Sequence, residues 1–258
     1  MDLRRMRRDR ASRTGPALFL HQRAFDEILE RLEGINRSFG SALLVGAPDP
    51  QWPLRLSELV DAVTVLDPGG SFARAAGGSQ AVEDSLDLEP GSFDLIVAIG
   101  TLDTVNDLPA ALLRLRFLLK PDSLLIGAIS GGNTLPRLRQ AMRAADAVAG
   151  AASPHVHPRI EPAAFAQLLG SAGLAMPVVD VDRVPVAYRD FVRLVADLRA
   201  MGATNILKSR SRQPLTRAAL VSAERDFQSG PDDRTVEIFE LLHFAAWSPA
   251  EPGLPAIG

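Results

Sequence analysis

The 258-residue chain contains no cysteine. That excludes disulfides, thiolate zinc sites, cysteine-ligated iron–sulfur clusters and cysteine nucleophiles, and it suits a reducing compartment. No apolar run approaches the roughly 18 residues of a membrane span, so a soluble chain without a membrane span is expected. There is no secretory h-region. The net charge of −3 argues against a general nucleic-acid binder, so no nucleic-acid partner is expected. What the chain does have is hydrophobicity: 47% of its residues are apolar, enough for one substantial core and a lid.

Charge of one sign is concentrated at the start. Arg4, Arg5, Arg7, Arg8, Arg10, Arg13 and Arg23 are opposed only by Asp2 and Asp9 before Asp26. A transit peptide would also be rich in serine, and only Ser12 meets that demand. The expectation is therefore a solvated or partner-contacting basic helical segment over residues 1–36, followed by one domain over residues 37–258.

Residues 93–135 set the fold class. An apolar run over 93–99 suits a strand covered on both faces. Asp107 is placed to cap a helix with Pro109 in its first turn, and Leu108, Ala111, Leu112, Leu115 and Leu119 then share one side. Pro121 stops that helix, and residues 124–129 resume as strand. This is a right-handed strand–helix–strand unit of an open α/β sheet. Residues 41–46 and 62–66 read as the first and second strands, with a third at 80–83. Helices are expected over 17–33, 54–60, 133–149 and 162–171. Residues 178–186 read as a strand despite three charged side chains, and 234–247 as a closing strand, with a helix as the alternative. The polar, helical stretch 188–230 is long for a connection and reads as a lid insertion. Together these predict an open, doubly wound, mostly parallel seven-stranded sheet.

In such a sheet ligands bind beyond the carboxyl ends of the strands. Asp67, closing the second strand, is placed to accept both hydroxyls of a ribose, and Asp84 or Glu83 to meet an adenine amino group. Gly131, Gly132, Asn133 and Thr134 follow the fifth strand, either as a substrate-facing turn or as a plain turn that caps the next helix. His155 and His157 alternate, so an extended chain projects both to one side. Two imidazoles with a carboxylate would suit iron, but nothing marks the carboxylate, and no metal is expected. His155 is alternatively a substrate contact or a base near neutral pH. Tyr188 opens the lid, as a packed ring with a wet hydroxyl or as a substrate contact. His243 and Trp247 read as core, and Arg137 and Arg139 as a solvated helix face.

The order of segments resembles the class I S-adenosylmethionine-dependent methyltransferases. The stretches VNDLPAALLRLRFLLKPDSLLIGAISGGNTLPRLR, SPHVHP, LLGSAGL, MGATN and the N-terminal RRDRA are similar to complex I assembly factors of this fold and their bacterial relatives. A more distant similarity is to the biotin-pathway methyltransferase that esterifies a malonyl carrier protein. The resemblance implies a Rossmann-like methyltransferase fold with S-adenosylmethionine as cofactor and protein methylation as the nominal activity. Arginine hydroxylation of a complex I iron–sulfur subunit is the activity assigned to the eukaryotic relative. It further implies the bacterial cytoplasm, or the mitochondrial matrix in a eukaryote. Carried onto this chain, the cofactor set is Gly46, Asp49, Asp67, Asp84, Ile99 and Gly100. The substrate set is Gly132, Asn133, His155, Tyr188 and Asn205. No catalytic base is assigned.

The departures are local. The family turn after the first strand has the form Asp-Leu-Gly-x-Gly-x-Gly, and this chain has Leu44-Val45-Gly46-Ala47-Pro48-Asp49-Pro50. Leu44 replaces the acid, and Pro48 and Pro50 each fix φ and remove a backbone donor. A His-Trp pair after the fourth strand becomes Asp103-Thr104. Each lost hydrogen bond to a charged group costs about 1.5–3 kcal/mol, so weak or lost cofactor binding is expected. Three functions follow: a methyltransferase-type enzyme, a non-catalytic assembly chaperone with a degenerate cofactor site, or an iron-dependent hydroxylase using the histidine pair.

Overall fold

The computed structural model describes residues 3–228 and 234–250. Two N-terminal helices, α1 (Leu3–Thr14) and α2 (Phe19–Glu33), precede an alternating array. That array is β1 (Phe39–Val45), α3 (Trp52–Leu56), β2 (Val60–Asp67), α4 (Gly70–Ala75), β3 (Ser79–Gln80), β4 (Phe93–Ile99), α5 (Leu108–Leu118), β5 (Leu119–Ser130), α6 (Pro136–Ala149) and α7 (Pro162–Ser171). The chain continues through β6 (Ala175–Tyr188), the lid helices α8 (Phe191–Ala200) and α9 (Arg217–Phe227), and β7 (Thr235–Trp247). The seven strands form one sheet in the order β3-β2-β1-β4-β5-β7-β6, and β7 runs antiparallel to both of its neighbours.

The expected open α/β sheet is the one observed, with the alternation of apolar runs and helices as its cause. Asp107 accepts from the Ala110 N–H at 2.9 Å and so caps α5 as its position predicts. Several boundaries differ, among them the helix expected over 54–60, which is Trp52–Leu56 and has ended before β2 begins at Val60. The third strand covers only Ser79–Gln80, and Glu83 lies in the 3-10 turn Glu83–Ser85. Pro121 does not separate helix from strand: α5 has ended by Leu118, and β5 already runs through Lys120 and Pro121. Residues 234–247 resolve in favour of strand, as β7.

Successive residues of the central strands are buried on opposite faces. Leu43, Ile96 and Leu125 pack under α5 and α7 with Phe165 and Phe244. Leu44, Leu95, Val97 and Leu124 pack with Phe25, Ile28 and Trp52 on the other side. There the Phe25 and Trp52 rings stack at 4.4 Å. Strand β6 tolerates its charges because it is an edge strand with a helix beside it: Asp180 pairs with Arg31, Asp182 with Arg23 and Arg183 with Glu240. The lid closes over α6 through a third apolar cluster that includes Phe191, Leu194, Ala219 and Phe227.

The carboxyl ends of β1, β2 and β4 meet at one cleft. Gly46 has φ +89°, and a Cβ there would sit 2.2 Å from the Ile99 carbonyl oxygen, so only glycine lets the two strand ends close. Phe165 is fully buried and meets Phe244 edge-on at 5.1 Å. Phe165→Ala is expected to cost about 3–5 kcal/mol, read from urea unfolding midpoints at unchanged slope.

Candidate functional site

The cleft at the carboxyl ends of β1, β2 and β4 is occupied by the chain's own helix α1. Arg4 and Arg8 are four residues apart and so share one helix face. Both are only 5% exposed, which corrects the expectation of a solvated basic segment. Arg8 reaches Asp67 as a fork, with Nε donating to Oδ1 at 2.9 Å and Nη2 to Oδ2 at 2.5 Å. Its Nη1 donates to the Gly100 carbonyl at 3.2 Å. Arg4 forks onto Glu83 through Nη1 and Nη2, both bonds at 2.7 Å. It also donates to the Thr101 carbonyl at 2.7 Å and the Thr104 hydroxyl at 3.1 Å.

Asp67 is 0% exposed and receives two further donors, the Ala47 N–H at 2.9 Å and the Gly69 N–H at 2.7 Å. A carboxylate offers about four lone-pair sites, and all are used. Burial by itself would lower the affinity of the Arg8 guanidinium for its proton. The Asp67 charge and hydrogen bonds outweigh that and raise it above the ordinary arginine value. His21, from α2, lies against Gly100. Burial, and then the Arg8 charge, push its pKa down to about 4. Its Nδ1 is buried without a hydrogen-bond partner among the described residues, as suits a neutral ring.

Beside this cleft a third buried ion pair joins Arg159 and Asp103, 2.8 Å apart. Burial opposes the charge on Asp103, but Arg159 and a Ser130 hydrogen bond hold its carboxyl below the usual range. The pair borders an open cavity of about 920 Å³ whose rim carries Asp84, Asn106, His157 and Lys208. His157 Nε2 accepts from the Ile206 N–H at 3.1 Å, tying this loop to the lid. Burial, and then Arg159, lower its pKa.

The residues singled out from sequence are not gathered into one place. Gly46, Asp67, Ile99 and Gly100 converge on the cleft. Asp84 lies on the rim of the large cavity, and Asp49 turns away to accept from the Gln51 N–H. On the substrate side, His155 bonds Asp146 and Ser153, and Asn205 donates to the Pro154 carbonyl at 2.5 Å. Both border a separate, more apolar cavity of about 560 Å³. Gly132 lies against Glu161, and the Asn133 N–H donates to Glu240. Tyr188 is packed as expected, but its hydroxyl donates to Asp197 at 3.0 Å rather than standing in water. Arg139 is not on a solvated face, since it donates to the Thr134 and His157 carbonyls. His243 is buried in the core. The two loop histidines are bonded in different directions, and no group of three metal-ligating side chains occurs among the described residues.

Sequence reasoning missed Arg4, Arg8, His21 and Arg159. The helical spacing of the first two was visible in the sequence, but their partners, 79 and 59 residues away, were not.

A model of the methyltransferase domain matches residues 19–177. The chain belongs to the methyltransferase domain family. An arginine-hydroxylase of Danio rerio mitochondria, NDUFAF5, is 30% identical over 242 residues, covering 90% of this chain and 75% of that protein. The malonyl-[acyl-carrier protein] O-methyltransferase of Laribacter hongkongensis is 32% identical over 180 residues, covering 69% of this chain and 59% of its own length. The crystal structure of YcgJ from Bacillus subtilis superposes with a TM-score of 0.62 at 13% identity, covering 89% of this chain and 99% of the other.

S-adenosylmethionine is the cofactor that goes with this domain. In the arrangement described, the cleft does not admit it. Asp67 and both oxygens of Glu83 are engaged by arginine, and the space left beside Arg4, Arg8 and His21 is about 70 Å³.

The depressed His21 pKa makes stability pH-dependent. The unfolded chain binds a proton near pH 6.5 that the folded chain takes only near 4. This contribution is complete above about pH 6.5 and is lost as the pH falls toward 4, up to about 3 kcal/mol. His21→Gln is expected to flatten that part of the stability-against-pH curve, measured by urea unfolding at each pH.

Proposed function

We propose that this chain is a methyltransferase-type enzyme acting on a protein side chain, with the partner segment entering the 920 Å³ cavity between the Arg159 loop and the lid. The observation that carries the reading is the division of the carboxyl edge. The adenosine side is closed, while the side facing the lid is open, charged at its rim and large enough for several residues of a peptide. Asp103 and Arg159 give that opening a fixed, charged wall, and Lys208 and Asp84 add charge of both signs at its rim.

Similarity to an arginine-hydroxylase named NDUFAF5 supports a protein rather than a small molecule as the substrate. By that resemblance the partner is an iron–sulfur subunit of respiratory complex I or its bacterial counterpart. The compartment is then the bacterial cytoplasm or the mitochondrial matrix. The second reading, a non-catalytic assembly chaperone, is favoured by one observation: Asp67 has no acceptor site left for a ribose.

A pull-down from the native host with the intact chain, His155→Ala and Asn205→Ala checks both readings. The intact chain is expected to enrich a complex I subunit, and Asn205→Ala to weaken capture by freeing the lid from Pro154. Mass spectrometry of the captured subunit, with and without the gene, separates the readings. A methyl or hydroxyl group that depends on the gene supports the enzyme, and an unmodified subunit supports the chaperone. Failure to enrich any complex I subunit would sink the partner assignment.

A further inference from the structure

We propose that helix α1 is an internal competitor of S-adenosylmethionine, whose two arginines occupy the positions of the ribose and the adenine, so that the cofactor binds only when α1 leaves its seat. This rests on the reading that the chain uses the cofactor, and it adds how access is controlled.

Three observations carry it. Asp67, at the end of β2, is the acid placed for a ribose diol, and the two lone-pair sites the diol needs are held by the Arg8 fork. Glu83, one strand further out, is placed for the adenine amino group and is held by the Arg4 fork. At Asp67 two acceptor sites are taken by the Ala47 and Gly69 N–H groups, so vicinal hydroxyls and a guanidinium edge, each presenting two parallel donors, compete for the two that remain. The helix backbone also fills the cleft: a Cβ on Gly69 would lie 2.8 Å from the Arg8 Cβ.

The remaining contacts suit a part that can move. Helix α1 meets α4 through a bond from the Ser71 N–H to Asp9 Oδ1 at 2.8 Å and through the Arg8 guanidinium, 5.3 Å from the Phe72 ring centroid. On its other side it passes Gly202 at the end of α8, where a Cβ would lie 3.4 Å from the Arg8 Cα. The residues of α1 buried in the structure are Arg4, Arg8 and Ala11. Only the last is apolar, so the seat is electrostatic rather than hydrophobic. A helix held in this way can be exchanged for another set of donors without exposing a core. The lid contact gives a route for release: a partner that shifts α8 also disturbs the seat of α1.

The consequence is quantitative. The apparent affinity for the cofactor is the intrinsic affinity reduced by the fraction of molecules with α1 out of its seat. The test is calorimetric titration of the full chain with S-adenosylmethionine and with its demethylated product, for the unaltered protein, Arg8→Ala, Arg4→Ala and Asp9→Ala. Asp9→Ala loosens the helix without touching Asp67, and so remains informative if loss of Arg8 harms folding. Near-ultraviolet circular dichroism checks the fold of each.

Weak binding by the unaltered chain and gains on the order of tenfold or more in the variants are expected. Hydrogen exchange in residues 3–14 should also rise when the cofactor is added. Tight binding by the unaltered chain with α1 still protected would overturn the gate while leaving the methyltransferase reading intact. Folded variants that bind no better than the unaltered chain would overturn the gate. If their binding is nil, the cofactor-using reading falls with it.

Discussion

The Asp67 carboxylate is the group on which the carboxyl edge of the sheet depends. A charge with no solvent exposure is costly unless every lone pair is matched. Here the matching donors come from three separate segments: Ala47 after β1, Gly69 after β2 and Arg8 of α1. The two backbone donors set the shape of the turns, and the guanidinium sets where α1 must lie. Once Arg8 is seated, the helical repeat carries Arg4 to Glu83 without further adjustment. Removing one partner of such a pair leaves a buried charge alone, at a cost of about 3–5 kcal/mol.

The altered cofactor turn is consistent with this arrangement. Leu44, standing where the family carries an acid, is fully buried in the apolar layer beneath α2. Pro48 and Pro50 offer no N–H, but the turn as built needs only the Ala47 donor to close on Asp67. A glycine-rich turn with free donors would face α1 rather than water while the helix is seated. The lost donors and the seated Arg8 are therefore mutually compatible.

The family-like segments on the other side act through the backbone. Residues 153–155 and 201–205 are about fifty positions apart, yet Asn205 bonds the Pro154 carbonyl and His157 accepts from Ile206. These contacts fasten the lid to the loop that carries Arg159. His155 is held by Asp146, within the same fastening. The glycines at 131 and 132 lie against Glu240 and Glu161, so that turn is a packed corner as well as a rim of the cleft. These motif residues help position the charged wall of the cavity.

The strand–helix alternation was legible from residues 93–135 alone, because burial on both faces leaves a periodic signature that needs no knowledge of neighbours. The cap at Asp107 and the end of β2 at Asp67 were legible for the same reason: they depend on adjacent residues. The charged edge strand β6 was readable only as far as its alternation, since its ion pairs with Arg23 and Arg31 come from a helix some 150 residues earlier. What no local pattern contained was the destination of α1. Its sequence is basic and polar enough for water, and composition favours a solvated helix. Only the tertiary structure brings Asp67, at the end of β2, and Glu83, in the 3-10 turn after β3, to the spacing of an arginine pair on one helical turn. Long-range charge pairing leaves no periodicity in the chain, so the sequence by itself determined the sheet, and the assembled sheet decided what fills its cleft.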